Sequence, residues 1–382
     1  MKAVIAIDSF KGSMTSLEAG KSAENGIKRV FPDADIKVIP VADGGEGTVD
    51  ALVLGMNGIK EKVKTQDPLG REIEAYYGII GQTAVMEMAS SSGITLVSPK
   101  ERNPLNTSTY GFGIMIAHAI KKGCRKFVIG IGGSATNDGG TGMLTALGFE
   151  FLDVNQNPIA FGAKGLESLC EIKNDKVLKE LDECTFTIAC DVTNPLCGND
   201  GCSRVYGPQK GATEEMIVFM DKWLSCYAKV SKKLYSHADE NLPGSGAAGG
   251  LGFAFRTFLD AELKSGIDII LKETHIEEHI KNADIVITGE GRLDFQTTMG
   301  KAPAGIAAIA KKHKKPVFAF AGGITEDAKT VHQAGIDAYF PIVRGVCSLD
   351  EAMKKENAKA NMADAVEQAM RIWHIKKYEQ SQ

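Results

Sequence analysis

The chain opens on an unbroken apolar run, KAVIAI from Lys2, and then changes period. Leu17, Ala23, Ile27 and Val30 recur at helical spacing behind TSLE at 15–18. There Thr15 can accept from the first helical turn while Glu18 reaches back to it, a capping box. A further apolar run, DIKVIPVAD from Asp35, predicts the next strand, so the N-terminal segment reads βαβ. After residue 282 the same alternation returns: ADIVIT, a helix around 304–312, PVFAFAGG, a helix around 326–333, DAYFPIV, and a last helix to about Trp373. Two parallel-type strands at the start and three at the end suit one flavodoxin-like sheet, provided the middle of the chain is an insertion.

That middle has a different pattern. IKEKVKTQ and REIEAYYGII flank DPLG at 67–70, which carries Pro and Gly at the second and fourth positions of a turn. This is antiparallel β, foreign to a parallel doubly wound sheet. A helix is predicted over 106–123, strands at KFVIGI and FTIAC, and one long amphipathic helix over 213–236. The expected fold is therefore two α/β domains. One is a discontinuous flavodoxin-like domain, 1–63 plus 260–382; the other is an inserted mixed-sheet α/β domain, 64–259.

Composition narrows the function class. With 382 residues and a net charge of −4, the chain has material for a proper core and lacks the strong basic balance of a dedicated nucleic-acid binder. Local anion sites remain open, because backbone N–H groups can hold a phosphate whatever the net charge. The opening MKAVIAIDSF is too short an apolar run for a secretory signal, and no stretch approaches a membrane span. Eight cysteines then read as reduced cytoplasmic thiols, and the spacing of Cys190, Cys197 and Cys202 matches no zinc motif.

Candidate chemistry concentrates where the parallel strands end, the place where open α/β sheets bind ligands. Those ends read DSFKGS with Asp8, Ser9 and Lys11; DGGEGT with Asp43 and Glu46; GEGRLD with Glu290, Arg292 and Asp294; and AGG at 321–323. Each couples glycine to charged or hydroxyl side chains, although a plain tight turn accounts for any one of them. In the inserted segment, GIGGSATNDGG at 130–140 follows a strand and precedes a helical stretch. Gly132, Gly133 and Ser134 suit an anion-binding loop there. Asn137 and Asp138 suit a sugar hydroxyl or Mg²⁺, or else they cap a helix. PGSGAAGGLG at 243–252 places Gly244, Ser245, Gly246 and Gly249 in a phosphate- or adenine-holding loop. No strand precedes it, which removes the dinucleotide reading and leaves close helix packing as the alternative. GKS at 20–22 lies inside a helix and lacks the earlier glycine of a P-loop. HIEEH at 275–279 fits an inverted zinc-protease pattern but reads as a solvated helix face.

Taken together, DSFKGS (8–13), DGGEGT (43–48), NTSTYGFG (106–113), GIGGSATNDGG (130–140), CDVTNPLCG (190–198), PQKGA (208–212), PGSGAAGGLG (243–252) and TGEGRLDFQTTMGKAP (288–303) closely resemble the bacterial glycerate kinase family that includes the glycerate 2-kinases. The resemblance runs in order along nearly the whole chain. It implies two α/β domains with the active site in the cleft between them, ATP with Mg²⁺, and phosphorylation of D-glycerate, most simply to 2-phosphoglycerate.

On that resemblance Lys11 and Arg292 would meet carboxylate or phosphate charge. Asp294 or Asp191 would serve as base or Mg²⁺ ligand, and Gly132, Gly133 and Ser134 would cradle phosphates. Asn137, Asp138, Gly244, Ser245, Gly246, Gly249 and Glu290 would complete the nucleotide side. Asp8, Ser9, Asp43, Glu46, Asn106 and Asn194 would face the hydroxy acid. Competing readings are a kinase for a related hydroxy acid, one that forms the 3-phosphate, or a non-catalytic hydroxy-acid sensor. Partners are then small molecules, with neither nucleic acid nor membrane, and monomer and homodimer both stay open.

Overall fold

The computed structural model describes residues 1–42, 47–56 and 58–379. Its strands are β1 (Lys2–Ile7), β2 (Asp35–Val38), β3 (Ile59–Gln66), β4 (Glu72–Ile80), β5 (Thr83–Glu87), β6 (Lys126–Gly130), β7 (Glu150–Leu152), β8 (Glu171–Lys173), β9 (Thr185–Ala189), β10 (Glu262–Lys264), β11 (Ile285–Leu293), β12 (Val317–Ile324) and β13 (Ala338–Pro341). They belong to two compact units. One comprises Met1–Asp43, Asp50–Met56 and Ile267–Gln382; the other comprises Gly44–Val49 and Asn57–Gly266.

The first unit holds a sheet of order β13-β12-β11-β1-β2, parallel throughout. Counted along the chain within that sheet the order is 2-1-3-4-5, the flavodoxin-like arrangement. KAVIAI and ADIVIT lie side by side, Ile5 opposite Ile287, although some 280 residues separate them. Ile5, Ile285, Val286 and Ile287 are wholly buried, as expected for parallel strands covered on both faces. The helix Ser16–Lys28 begins on the predicted box, with Thr15 accepting from Glu18 N and Glu18 accepting from Thr15 N. Its buried Ala19, Ala23 and Ile27 join the core that includes Met362 and Val366 of the helix Lys355–Glu379.

Two local expectations shift. β2 ends at Val38 rather than running through VIPVAD, since Pro40 brings no N–H to a ladder. In place of the regular helix expected over 326–333 stands a 3₁₀ helix, Glu326–His332.

The second unit holds a mixed sheet of order β10-β9-β6-β5-β4-β3. β10, β9, β6 and β5 pair in parallel, while β4 and β3 are antiparallel additions turned at DPLG. Asp67 closes that turn, its Oδ1 accepting from Leu69 N and Arg71 N. The helix predicted from Asn106 starts instead at Tyr110. Residues 107–109 are diverted into tertiary hydrogen bonds: Thr107 Oγ1 donates to Ala135 O, and Thr109 donates to Asp138. Glu214–Leu234 is the long amphipathic helix, capped by Thr213 Oγ1 on Met216 N.

Among the described residues, no helix is long and apolar enough to cross a membrane. All eight cysteines are unpaired. His275 is left-handed and lies outside the helix Ile276–Lys281, so the two histidines of HIEEH do not share one helical face.

Candidate active site

In the parallel-sheet unit, neighbouring strands bring their carboxyl ends together, Ile7 opposite Gly289 and Glu290 opposite Ala321. Asp8 N donates to Gly289 O at 2.9 Å, and Asp8 Oδ1 accepts from Ser9 N at 2.6 Å. A Cβ on Gly291 would lie 3.7 Å from Phe10 Cα and 3.9 Å from Lys11 N, so the 8–13 turn passes directly over the end of β11. Asp8 is buried there and Lys11 is exposed.

Glu290 and Asp294 form the acidic centre of this edge. Glu290 is buried and accepts from Thr297 Oγ1 at 2.6 Å. The same hydroxyl accepts from Asp294 N at 3.2 Å, tying the two acidic residues together. Asp294 caps the 3₁₀ helix Phe295–Met299, taking Gln296 N on Oδ1 at 2.9 Å. Lys301 Nζ stands 3.7 Å from Glu290 and 3.7 Å from Asp294, while Arg292 Nε is 4.0 Å from the other oxygen of Asp294. Burial pushes the Glu290 carboxyl up, opposed by the Thr297 hydrogen bond and the Lys301 charge. Asp8, Ser9, Lys11, Glu290, Arg292 and Asp294 thus share one sheet edge. Thr297 and Lys301 join them without having been singled out, although both stand in the block at 288–303. Asp43 and Glu46 lie outside the described residues.

In the mixed-sheet unit, the loop after β6 exposes Gly132 and Gly133 and then turns inward. Ser134 pairs with Gly93, Ala135 N donates to Ser92 O, and Gly133 O accepts from Ile94 N. Beneath Ser134 sits Lys210, only 2% exposed, at the end of the 3₁₀ helix Pro208–Lys210. Its Nζ donates to Ser134 Oγ at 2.7 Å and to Thr136 O at 2.6 Å. Burial pulls this lysine down to about 8. Lys210 belongs to PQKGA but was not among the sequence candidates; a lysine in a 3₁₀ turn carries no local sign that it will be buried.

Two expected ligands turn out to be internal anchors. Asn137 is fully buried and donates to Ser203 Oγ at 2.8 Å. Asp138 is fully buried and accepts from Thr109 N and Oγ1 at 2.8 Å, Gly140 N at 3.1 Å and Gly142 N at 3.3 Å. Burial raises its carboxyl while these donors oppose the rise. With its oxygens so occupied, Asp138 takes the structural alternative and anchors the turn into the helix Thr141–Ala146.

The loop at 243–252 behaves similarly. Gly249, at φ +69°, would set a Cβ 2.1 Å from Thr136 O, and a Cβ on Gly246 would lie 2.1 Å from Pro195 O. Ser245 is fully buried, and Gly244 would press its Cβ to 3.0 Å from Leu263. Their geometry is that of close packing, the alternative to direct cofactor contact, and Gly139 N to Gly249 O at 2.9 Å binds this loop to the 130–140 loop.

At the end of β9, Asp191 is exposed and accepts from Gly266 N at 3.0 Å. Asn194 is half-buried between Tyr206 Oη at 2.7 Å and Asp200 O at 2.9 Å, and Asn106 is exposed.

Glycine-lined turns at strand ends, an acidic pair with a shared lysine and a buried lysine under a Gly-Gly-Ser turn suit the handling of anions. The description "Glycerate kinase family" matches residues 3–374. The chain belongs to the glycerate kinase family. Within that family, it is 48% identical over 356 residues to the glycerate 2-kinase of Escherichia coli K12, covering 93% of each chain. It is 44% identical to a glycerate kinase of Haemophilus influenzae, over 98% of this chain and all of that one. The crystal structure of a glycerate kinase 2 candidate from Salmonella typhimurium LT2 is similar throughout, with a TM-score of 0.92, 43% identity and 99% of each chain covered.

Proposed function

We infer that this protein is a kinase that transfers the terminal phosphoryl group of ATP to D-glycerate, releasing 2-phosphoglycerate and ADP in the cytoplasm. Membership of the glycerate kinase family along residues 3–374 carries this reading, and the name of the Escherichia coli relative supports the 2-phosphate as product.

Phosphoryl transfer requires positioning, charge neutralisation and acceptance of a hydroxyl proton. Asp294 is the base: it is partly open to solvent, its backbone is tied to Thr297, and Lys301 and Arg292 stand 3.7 and 4.0 Å from its carboxylate oxygens. Lys11 and Arg292, both exposed at the end of the parallel sheet, meet the negative charge of substrate and transferring group. Gly132, Gly133 and Ser134 hold nucleotide phosphates. Asn106 and Asn194 serve the hydroxyls of the acceptor.

Mg²⁺ in this reading arrives with the nucleotide. The described residues contain no group of three or more His, Cys, Asp or Glu that could hold a metal. Mg²⁺ on a nucleotide takes one or two carboxylates, the remaining places going to phosphate and water. Asp191 meets that need when Asp294 is the base, and the two exchange these roles in the alternative reading. When bound, the ion neutralises phosphate charge.

A coupled assay of ADP release with D-glycerate, followed by phosphorus NMR of the product, tests the reading. Glycerate-dependent ADP release with a 2-phosphate resonance is expected. A 3-phosphate resonance would reassign the hydroxyl attacked. Binding of glycerate without any ADP release would favour the sensor.

A further inference from the structure

Lys210 has an unusual set of partners. A lysine buried to this degree ordinarily sits against a carboxylate, because an unpaired buried charge is costly. Here its two hydrogen bonds go to neutral oxygens, Ser134 Oγ and Thr136 O, at 2.7 and 2.6 Å. The titratable groups that face it are Asp138, occupied by Thr109, Gly140 and Gly142, and the buried Cys202 of the helix Cys202–Tyr206. Burial pushes the Cys202 thiol up to about 12, which keeps it neutral.

The direction of the Lys210–Ser134 hydrogen bond matters. An ammonium can only donate, so Ser134 Oγ accepts and its own proton is directed elsewhere. A hydroxyl that accepts from a cation is polarised toward donating to an anion, and charge-assisted bonds are the stronger class. Ser134 stands next to the exposed Gly132 and Gly133.

We propose that Lys210 is a positioning residue for the nucleotide: its buried ammonium holds Ser134 as an obligate donor, and through that hydroxyl presents positive charge to a phosphate oxygen at the 132–134 turn. The inference rests on the reading of that turn as the phosphate-holding element. Its second consequence is a pH dependence. The lysine is brought to about 8 by burial, so its charge is present below that pH and lost above it. Phosphate affinity should fall as pH rises through the same range, when the diphosphate is already fully ionised.

The test is calorimetric titration of MgADP into wild type, Lys210→Met, Ser134→Ala and the double variant, from pH 7 to 9, with KM for glycerate and thermal unfolding alongside. At pH 7, each single variant should weaken MgADP by about tenfold or more, the scale of one charge-assisted hydrogen bond. The double variant should be little worse than either single one, because both changes remove the same relay. Wild-type affinity should decline on going from pH 7 to 9, while the variants stay flat. KM for glycerate should move less than about twofold, which a general loss of structure would not permit.

The inference is overturned by additive effects, by a flat wild-type profile, or by equal damage to glycerate and MgADP. Should Lys210→Met not fold, the wild-type and Ser134→Ala profiles decide by themselves. Wild type that neither binds MgADP nor releases ADP with glycerate overturns the kinase reading as well. A wild type that turns over normally while Lys210→Met keeps full MgADP affinity overturns this inference alone.

Discussion

Lys301 and Lys210 are both lysines close to glycine-rich loops, yet they are held in opposite ways. Lys301 is a third exposed and stands between two carboxylates at 3.7 Å each, in contact with solvent. Lys210 is sealed from solvent and bonded to two neutral oxygens. Around Lys301, charge is balanced and screened, so exchanging a partner changes chemistry more than stability. Around Lys210 and Asp138, charge is desolvated, and each group depends on its hydrogen bonds. In the proposed reading one region is arranged to react, while the other holds a loop in place.

The strongest challenge to this contrast is Asp138→Ala. It strips four donors of their shared acceptor in a dry setting, and should lower unfolding stability by about 3 kcal/mol. Urea denaturation measures this, and a cost below about 1 kcal/mol would mean that the buried region is far less constrained than its geometry implies.

Next is Asp294→Asn, which keeps the side-chain shape and removes the proposed base. Turnover with saturating ATP and glycerate should drop about a hundredfold while the melting temperature stays nearly unchanged. A stability loss with ordinary turnover would place Asp294 with the structural anchors.

Lys301→Met sharpens the comparison from the cation's side. Loss of the shared positive charge leaves Glu290 and Asp294 facing each other, and kcat/KM should fall about tenfold. Steady-state kinetics measures this fall, which would accompany the loss of the Lys301 charge that opposes the rise of the Glu290 carboxyl.

The smallest effect is expected for Glu290→Gln. A carboxyl whose folded pKa is raised by burial favours folding in its protonated form, so this contribution is full below the unfolded value of 4.5 and is lost as pH climbs through the folded value. At pH 7 the glutamine variant should therefore melt at or slightly above the wild-type temperature, and that advantage should disappear toward pH 4.5. An advantage growing on acidification would contradict the sign.

The elements near these groups were legible to very different degrees. The capping box at Thr15 and Glu18 is local, since its donors and acceptors lie within one turn, and it forms as written. The strand pattern carried the parallel sheet because fully buried strands need continuous apolar runs. The start of the helix at Tyr110 was not local: Thr109 could cap its own helix, yet it serves Asp138, 29 residues away. The loop at 243–252 was legible as glycine-rich, but whether its glycines face a phosphate or a neighbouring backbone depends on Thr136 and Pro195, which touch it only after folding.

Short-range patterns, composition and ordered motif blocks were thus enough to determine the α/β class, the five-stranded parallel sheet and the glycerate kinase family. Those properties follow from periodicity and from residue order, both written along the chain. Tertiary structure alone decided which polar groups lost their water. Asn137 and Asp138 went inward as anchors, Lys210 went inward under Ser134, and Lys301 took its place between Glu290 and Asp294. Desolvation depends on everything packed around a side chain, and neighbours brought from 70 residues away leave no trace in the local sequence.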